Sequence, residues 1–78
     1  MSGRDRAGRA RSGPVRMRAI GRRTVEFEGP RVLEGIQMLG IRYMRSRFGG
    51  GWVVPQYAAA DLVAWLEGVS GQRIEVSL

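Results

Sequence analysis

Three features of the sequence predict an α+β fold of order β-β-α-β-β-α-β, a mainly antiparallel sheet with two helices packed on one face. Apolar residues alternate with polar ones over Val15–Ala19 and again over Thr24–Glu28, the pattern of half-buried strands. They recur at helical spacing at Val32, Leu33, Ile36 and Leu39, and at Ala58, Leu62, Trp65, Leu66 and Val69. Alternation returns at the end of the chain, where Ile74, Val76 and Leu78 interleave with Arg73, Glu75 and Ser77. Such a string buries its apolar sides most simply with both helices against the same sheet face. A single domain over residues 15–78 is expected, preceded by a disordered Arg-rich arm over 1–14.

The first two strands set their own register. Joined by the loop Gly21, Arg22, Arg23, they place Arg18 opposite Glu26 and Arg16 opposite Glu28 on one face. Ala19 then meets Val25, and Met17 meets Phe27, on the other. Opposite charges across a ladder contribute about 0.2–1 kcal/mol per pair, and a one-residue slip would set apolar groups against charged ones. Arg16 and Arg18 are thus expected to be partnered, while Arg22 and Arg23 in the turn stay available.

Gly29 and Pro30 end the second strand, and Pro30 is expected to open the first helix, where its missing N–H costs nothing. Gly40 supplies the stop. The β-branched and aromatic run 41–48 reads as a strand, the three glycines 49–51 as a flexible hairpin tip, and Trp52, Val53 and Val54 as the returning strand. Pro55 opens the second helix, with Gly68 or Gly71 as its terminator, and the closing strand presents one buried face.

The charge is unevenly distributed. Thirteen basic residues, all arginine, against seven acids give +6. Residues 1–23 hold eight arginines and one aspartate, whereas residues 24–78 hold five arginines and six acids. Arg4, Arg6, Arg9 and Arg11 lie in an arm of small and polar residues with little to bury. The arm reads equally as a flexible phosphate-contacting tail and as a solubilising terminus. With no cysteine and no histidine, disulfides, thiol nucleophiles, imidazole bases and the usual zinc, haem and iron–sulfur ligands are excluded, so no metal and no cofactor are expected. No apolar run approaches the ~20 residues needed to span a bilayer. These features describe a soluble, cytoplasmic, basic domain without a membrane partner.

Acid–base chemistry would fall to Asp and Glu alone. Glu26 and Glu28 already have arginine partners in the proposed register, which keeps them ionised, and Asp61 and Glu67 lie on the second helix as solvated charges. The 49–51 glycine run precedes a strand and lacks the Lys-Ser/Thr ending of a phosphate loop. The chain is read as no enzyme. Its binding potential lies in the second hairpin, where Arg42, Tyr43, Arg45, Arg47, Phe48 and Trp52 fall within eleven residues. Guanidinium groups pair phosphates and stack on bases, and aromatic rings offer faces to unpaired bases. By parity Tyr43, Arg45 and Arg47 share one face. Tyr43 and Trp52 have two readings, as stacking platforms or as core aromatics beneath the helices.

The run Arg23-Thr24-Val25-Glu26-Phe27-Glu28-Gly29, a helix ending near Met38, then Arg42-Tyr43 and Gly51-Trp52-Val53-Val54 resembles the HARP (HepA-related protein) domain that accompanies annealing helicases. The likeness covers residues 15–78. Where that family commonly carries an acidic residue after the tyrosine, this chain has Met44, and the segment before Trp52 is glycine-rich. The resemblance implies a noncatalytic module that engages forked or partly single-stranded DNA. The leading expectation is a nucleic-acid-binding module using Arg22, Arg23, Arg42, Tyr43, Arg45, Arg47 and Trp52, with Arg4, Arg6, Arg9 and Arg11 as auxiliary phosphate contacts. Nothing in the residues separates DNA from RNA. The alternative is a small protein-interaction adaptor or inhibitor acting on a partner protein through a strand edge or helix face, or a homodimer.

Overall fold

The computed structural model describes residues 14–47 and 49–77. The arm arginines Arg4, Arg6, Arg9 and Arg11, together with Phe48 and Leu78, lie outside the described residues. The elements follow the expected order: β1 Val15–Ala19, β2 Thr24–Glu28, α1 Val32–Leu39, β3 Met44–Arg45, β4 Trp52–Pro55, α2 Gln56–Gly68 and β5 Ile74–Ser77. The five strands form one sheet in the order β3-β4-β2-β1-β5, antiparallel except where β5 runs beside β1.

The β1–β2 register is the one the charge pattern requires, with Arg16 beside Glu28, Met17 beside Phe27, Arg18 beside Glu26 and Ala19 beside Val25. One face carries Val15, Val25, Phe27 and Val54, which pack with Val32 and Ile36 of α1 and Ala59, Leu62 and Leu66 of α2 in a single core. Phe27, Ile36, Leu62 and Leu66 are fully enclosed, each contributing about 1.5–3 kcal/mol by burial.

Several boundaries differ from the sequence expectation. Pro30 lies in a turn two residues before α1, and the cap position falls on Arg31, whose φ of 67° is left-handed. Arg31 is held there by its side chain, which forks onto Glu34 at 2.8 and 2.9 Å and lies 5.6 Å from the centre of the Trp65 ring. Gly40 ends α1 as expected, its left-handed backbone turning its N–H back to the carbonyls of Ile36 and Gln37. In α2 the buried residues are Ala58, Ala59, Leu62 and Leu66, while Val69, expected on the buried side, is exposed. The expected buried face of β5 is also mostly open, since Ile74 is half-buried and Val76 is 62% exposed.

The largest departure is the second hairpin. The strand expected over 41–48 contracts to Met44 and Arg45, which pair with Val53 and Trp52. The following loop turns back over the sheet face away from the helices. Ser46 N–H donates to the Gly51 carbonyl at 2.9 Å, and Glu26 and Val53, which point to that face, are buried. The glycine run is therefore no free tip. A Cβ at Gly51 would sit 2.7 Å from the Phe27 carbonyl oxygen, and one at Gly49 would sit 3.3 Å from Glu26 Oε2. Glycine is needed at 51 because backbone approaches backbone.

Candidate nucleic-acid interface

The predicted binding residues divide into three places. Tyr43, immediately before β3, Arg45 on β3 and Trp52 on β4 form one cluster. The ladder sets Arg45 opposite Trp52, and its guanidinium carbon lies 5.3 Å from the centre of the Trp52 ring. Tyr43 meets the same indole edge-to-face, with centroids 5.6 Å apart and planes at 79°. Trp52 is half-buried and packs against the core with its inner part. Of the two readings of Trp52, core packing is the one observed: it anchors the sheet edge and supports two exposed side chains.

Arg23 and Arg42 come together at the end of the sheet, from the first hairpin loop and the α1–β3 connection respectively. They border a shallow groove with Thr24, Tyr43, Met44, Val53 and Pro55. The same two arginines and Pro55 border an adjoining groove that ends on Gln56 and Tyr57 at the start of α2. The Gln56 N–H donates to the Arg23 carbonyl at 2.7 Å, which ties the basic turn to the head of the helix. Arg22 is exposed in the same turn.

Arg47 stands apart. It is exposed in a bend beyond the two-residue β3, so the parity that would align it with Tyr43 and Arg45 lapses there. Tyr57, 78% exposed, borders the second groove and is a candidate that the sequence reading did not single out. Its signal was a large aromatic immediately beside the α2 apolar stripe at Ala58, with no core position to fill.

The acids lie elsewhere. Arg18 Nη2 meets Glu26 Oε1 at 2.8 Å, Arg31 meets Glu34, and Arg73 meets Glu75 at 3.7 Å. Arg16 is aligned with Glu28 but forms no ion pair with it among the described residues. Arg22, Arg23, Arg42, Arg45 and Arg47 are all exposed and have no acidic partner among the described residues. Glu26 is an enclosed carboxylate on the opposite sheet face. A hydrogen bond from the Ser46 side chain, and then the Arg18 guanidinium, hold its pKa below the ordinary 4.5 against the desolvation that would raise it. No group of three or more metal-ligating side chains occurs among the described residues, and no helix there is long and apolar enough to cross a membrane. Compared with protein-family models, curated proteins and solved structures, the chain matches none of them.

Proposed function

We propose that the protein is a noncatalytic nucleic-acid-binding module that takes single-stranded, forked or junction DNA in preference to sequence-specific duplex. The observation that carries this reading is the arrangement at the β3–β4 edge. A guanidinium and a tyrosine are mounted on one half-buried tryptophan, beside a groove bordered by two further arginines with no acidic partner among the described residues. Flat faces beside cations suit unpaired bases and their phosphates, with each base–aromatic stack contributing about 1–3 kcal/mol. The grooves are shallow, and the projecting elements are a two-residue strand and loops, where a major-groove reader would present a helix or a longer ribbon. The resemblance of residues 15–78 to the HARP domain points to the same class of ligand. The arm arginines Arg4, Arg6, Arg9 and Arg11 supply auxiliary, sequence-independent phosphate contacts in this reading.

Fluorescence anisotropy with labelled single-stranded, duplex and forked DNA, titrated at several salt concentrations, tests the proposal. The expected result is salt-dependent affinity, highest for substrates with unpaired bases and reduced in the Arg45→Ala/Arg47→Ala variant. No affinity at low salt, or affinity unchanged by the double substitution, would remove it.

A further inference from the structure

Among the described residues the sheet has two edges, β3 and β5. The β5 edge is the less protected. The Val15 N–H donates to the Arg73 carbonyl at 2.8 Å, and Val15 is aligned with Ile74 in the parallel register. Backbone groups of successive strand residues point in alternate directions. Arg73, Glu75 and Ser77 thus turn their N–H and C=O groups towards β1, leaving those of Ile74 and Val76 directed outward. No proline interrupts this strand, and at four residues it offers a longer row of backbone groups than the two-residue β3 at the other edge. Beside it, on the helix face, α2 leaves an apolar groove bordered by Met17, Ala19, Ala60, Val63, Ala64 and Val76.

We propose that β5 is a homodimer interface, pairing antiparallel with the same strand of a second copy about a two-fold axis at Ile74. The charge pattern selects both the partner and the axis. With the axis at Ile74, Arg73 stands opposite the partner's Glu75, and Glu75 opposite the partner's Arg73, on the face away from the helices. The outward backbone groups of the two Ile74 residues then bond reciprocally. An axis at Glu75 would set two carboxylates against each other and use backbone groups already turned to β1. An axis at Val76 aligns Glu75 with Ser77 and gains no charge match. Reciprocal matching of this kind requires a partner with the same sequence running the opposite way, which is a second copy of this chain. Within one chain Arg73 and Glu75 are exposed and meet only loosely at 3.7 Å, so exchanging partners across the axis gives up little. The resulting ten-stranded sheet keeps all four helices on one face and brings the two apolar grooves to the seam. The β3–β4 edges lie at its opposite ends, so the proposal is independent of what those edges bind.

Sedimentation equilibrium on the full 78-residue chain, freed of nucleic acid and run over a concentration series, tests the interface. The expected mass rises from 8.6 kDa to twice that value. Glu75→Arg and Arg73→Glu should each return the chain to monomer with unchanged circular dichroism, and the combined charge swap should restore the dimer. A wild-type chain that stays monomeric into the millimolar range overturns the proposal. So does a dimer indifferent to the single reversals, or a charge-swapped chain that stays monomeric.

Discussion

The two hairpins use the same residue for opposite ends. In β1–β2 the ladder aligns Arg16 and Arg18 with Glu28 and Glu26, and Arg18 is bound to a carboxylate that is only 5% exposed. In β3–β4 the ladder aligns Arg45 with Trp52, so its charge rests on an aromatic face and remains available to an anion. For these two arginines the residue across the strand decides where the charge goes, onto a buried carboxylate for Arg18 and onto an indole for Arg45. The difference lies in the ladders themselves: β1–β2 holds the ion pair of Arg18 with Glu26, and β3–β4 holds the exposed Arg45 against Trp52.

The hairpins meet where the glycine loop folds onto Glu26, and the largest expected effect lies there. Gly51→Ala forces a Cβ to within 2.7 Å of a backbone oxygen on β2, so the loop must lift from Glu26 and Val53. A loss of about 1–3 kcal/mol is expected in urea denaturation. A stability equal to wild type would mean that the two hairpins are not coupled through this contact.

Next in size is Glu26→Gln. It weakens the pair with Arg18 and the bond from Ser46 in a nearly enclosed site, at an expected cost of about 1–2 kcal/mol at neutral pH. Because the folded-state pKa of Glu26 lies below its ordinary 4.5, the carboxylate's contribution is fully present above that value. It is lost as pH falls through the lower, folded-state value. Wild type and Glu26→Gln should therefore differ by a constant amount from neutral pH down to about 5 and converge on further acidification. A gap that widens in acid would contradict the assignment of the ion pair.

The smallest effect separates the two aligned arginines. Arg18→Ala is expected to cost about 0.5–1 kcal/mol, whereas Arg16→Ala, with no ion pair to lose, should stay within about 0.5 kcal/mol of wild type. Thermal denaturation of the two variants side by side checks the order.

Much of this division is legible in the sequence. Alternating Arg and Glu on facing strands leaves one register that satisfies both faces, and β1–β2 adopts it. The second hairpin is less legible because its pattern carries no such constraint. The β-branched and aromatic residues of 41–48 suit a long strand, but only Met44 and Arg45 find partners on the short β4. A glycine triplet reads as slack when only conformational freedom is considered, and its use for close approach at Gly51 depends on a β2 carbonyl distant in sequence. Type and spacing single out Tyr43, Arg45 and Trp52 within one hairpin, but their meeting depends on the Arg45–Trp52 register of the contracted strand, which no charge pattern pins. The meeting of Arg23 with Arg42 and Tyr57 is not legible either, because it depends on how the first turn packs against the head of α2. Arg31 shows the same limit: a left-handed arginine at a helix start is intelligible only once Trp65 and Glu34 are beside it.

The most direct test of the contrast between the hairpins is the salt dependence of single-stranded DNA binding by two double variants of the full chain. Arg42→Ala/Arg45→Ala removes two cations with no acidic partner among the described residues, and should lower affinity at least tenfold. It should also flatten the slope of log affinity against log salt by about 1.4, or ~0.7 per lost phosphate contact. Arg16→Ala/Arg18→Ala removes two cations on the sheet face opposite the Arg45–Trp52 pair, one of them already bound to Glu26, and should leave affinity and slope close to wild type. Equal losses from the two variants would mean that binding follows total charge alone, and the distinction between a structural and a binding hairpin would fall.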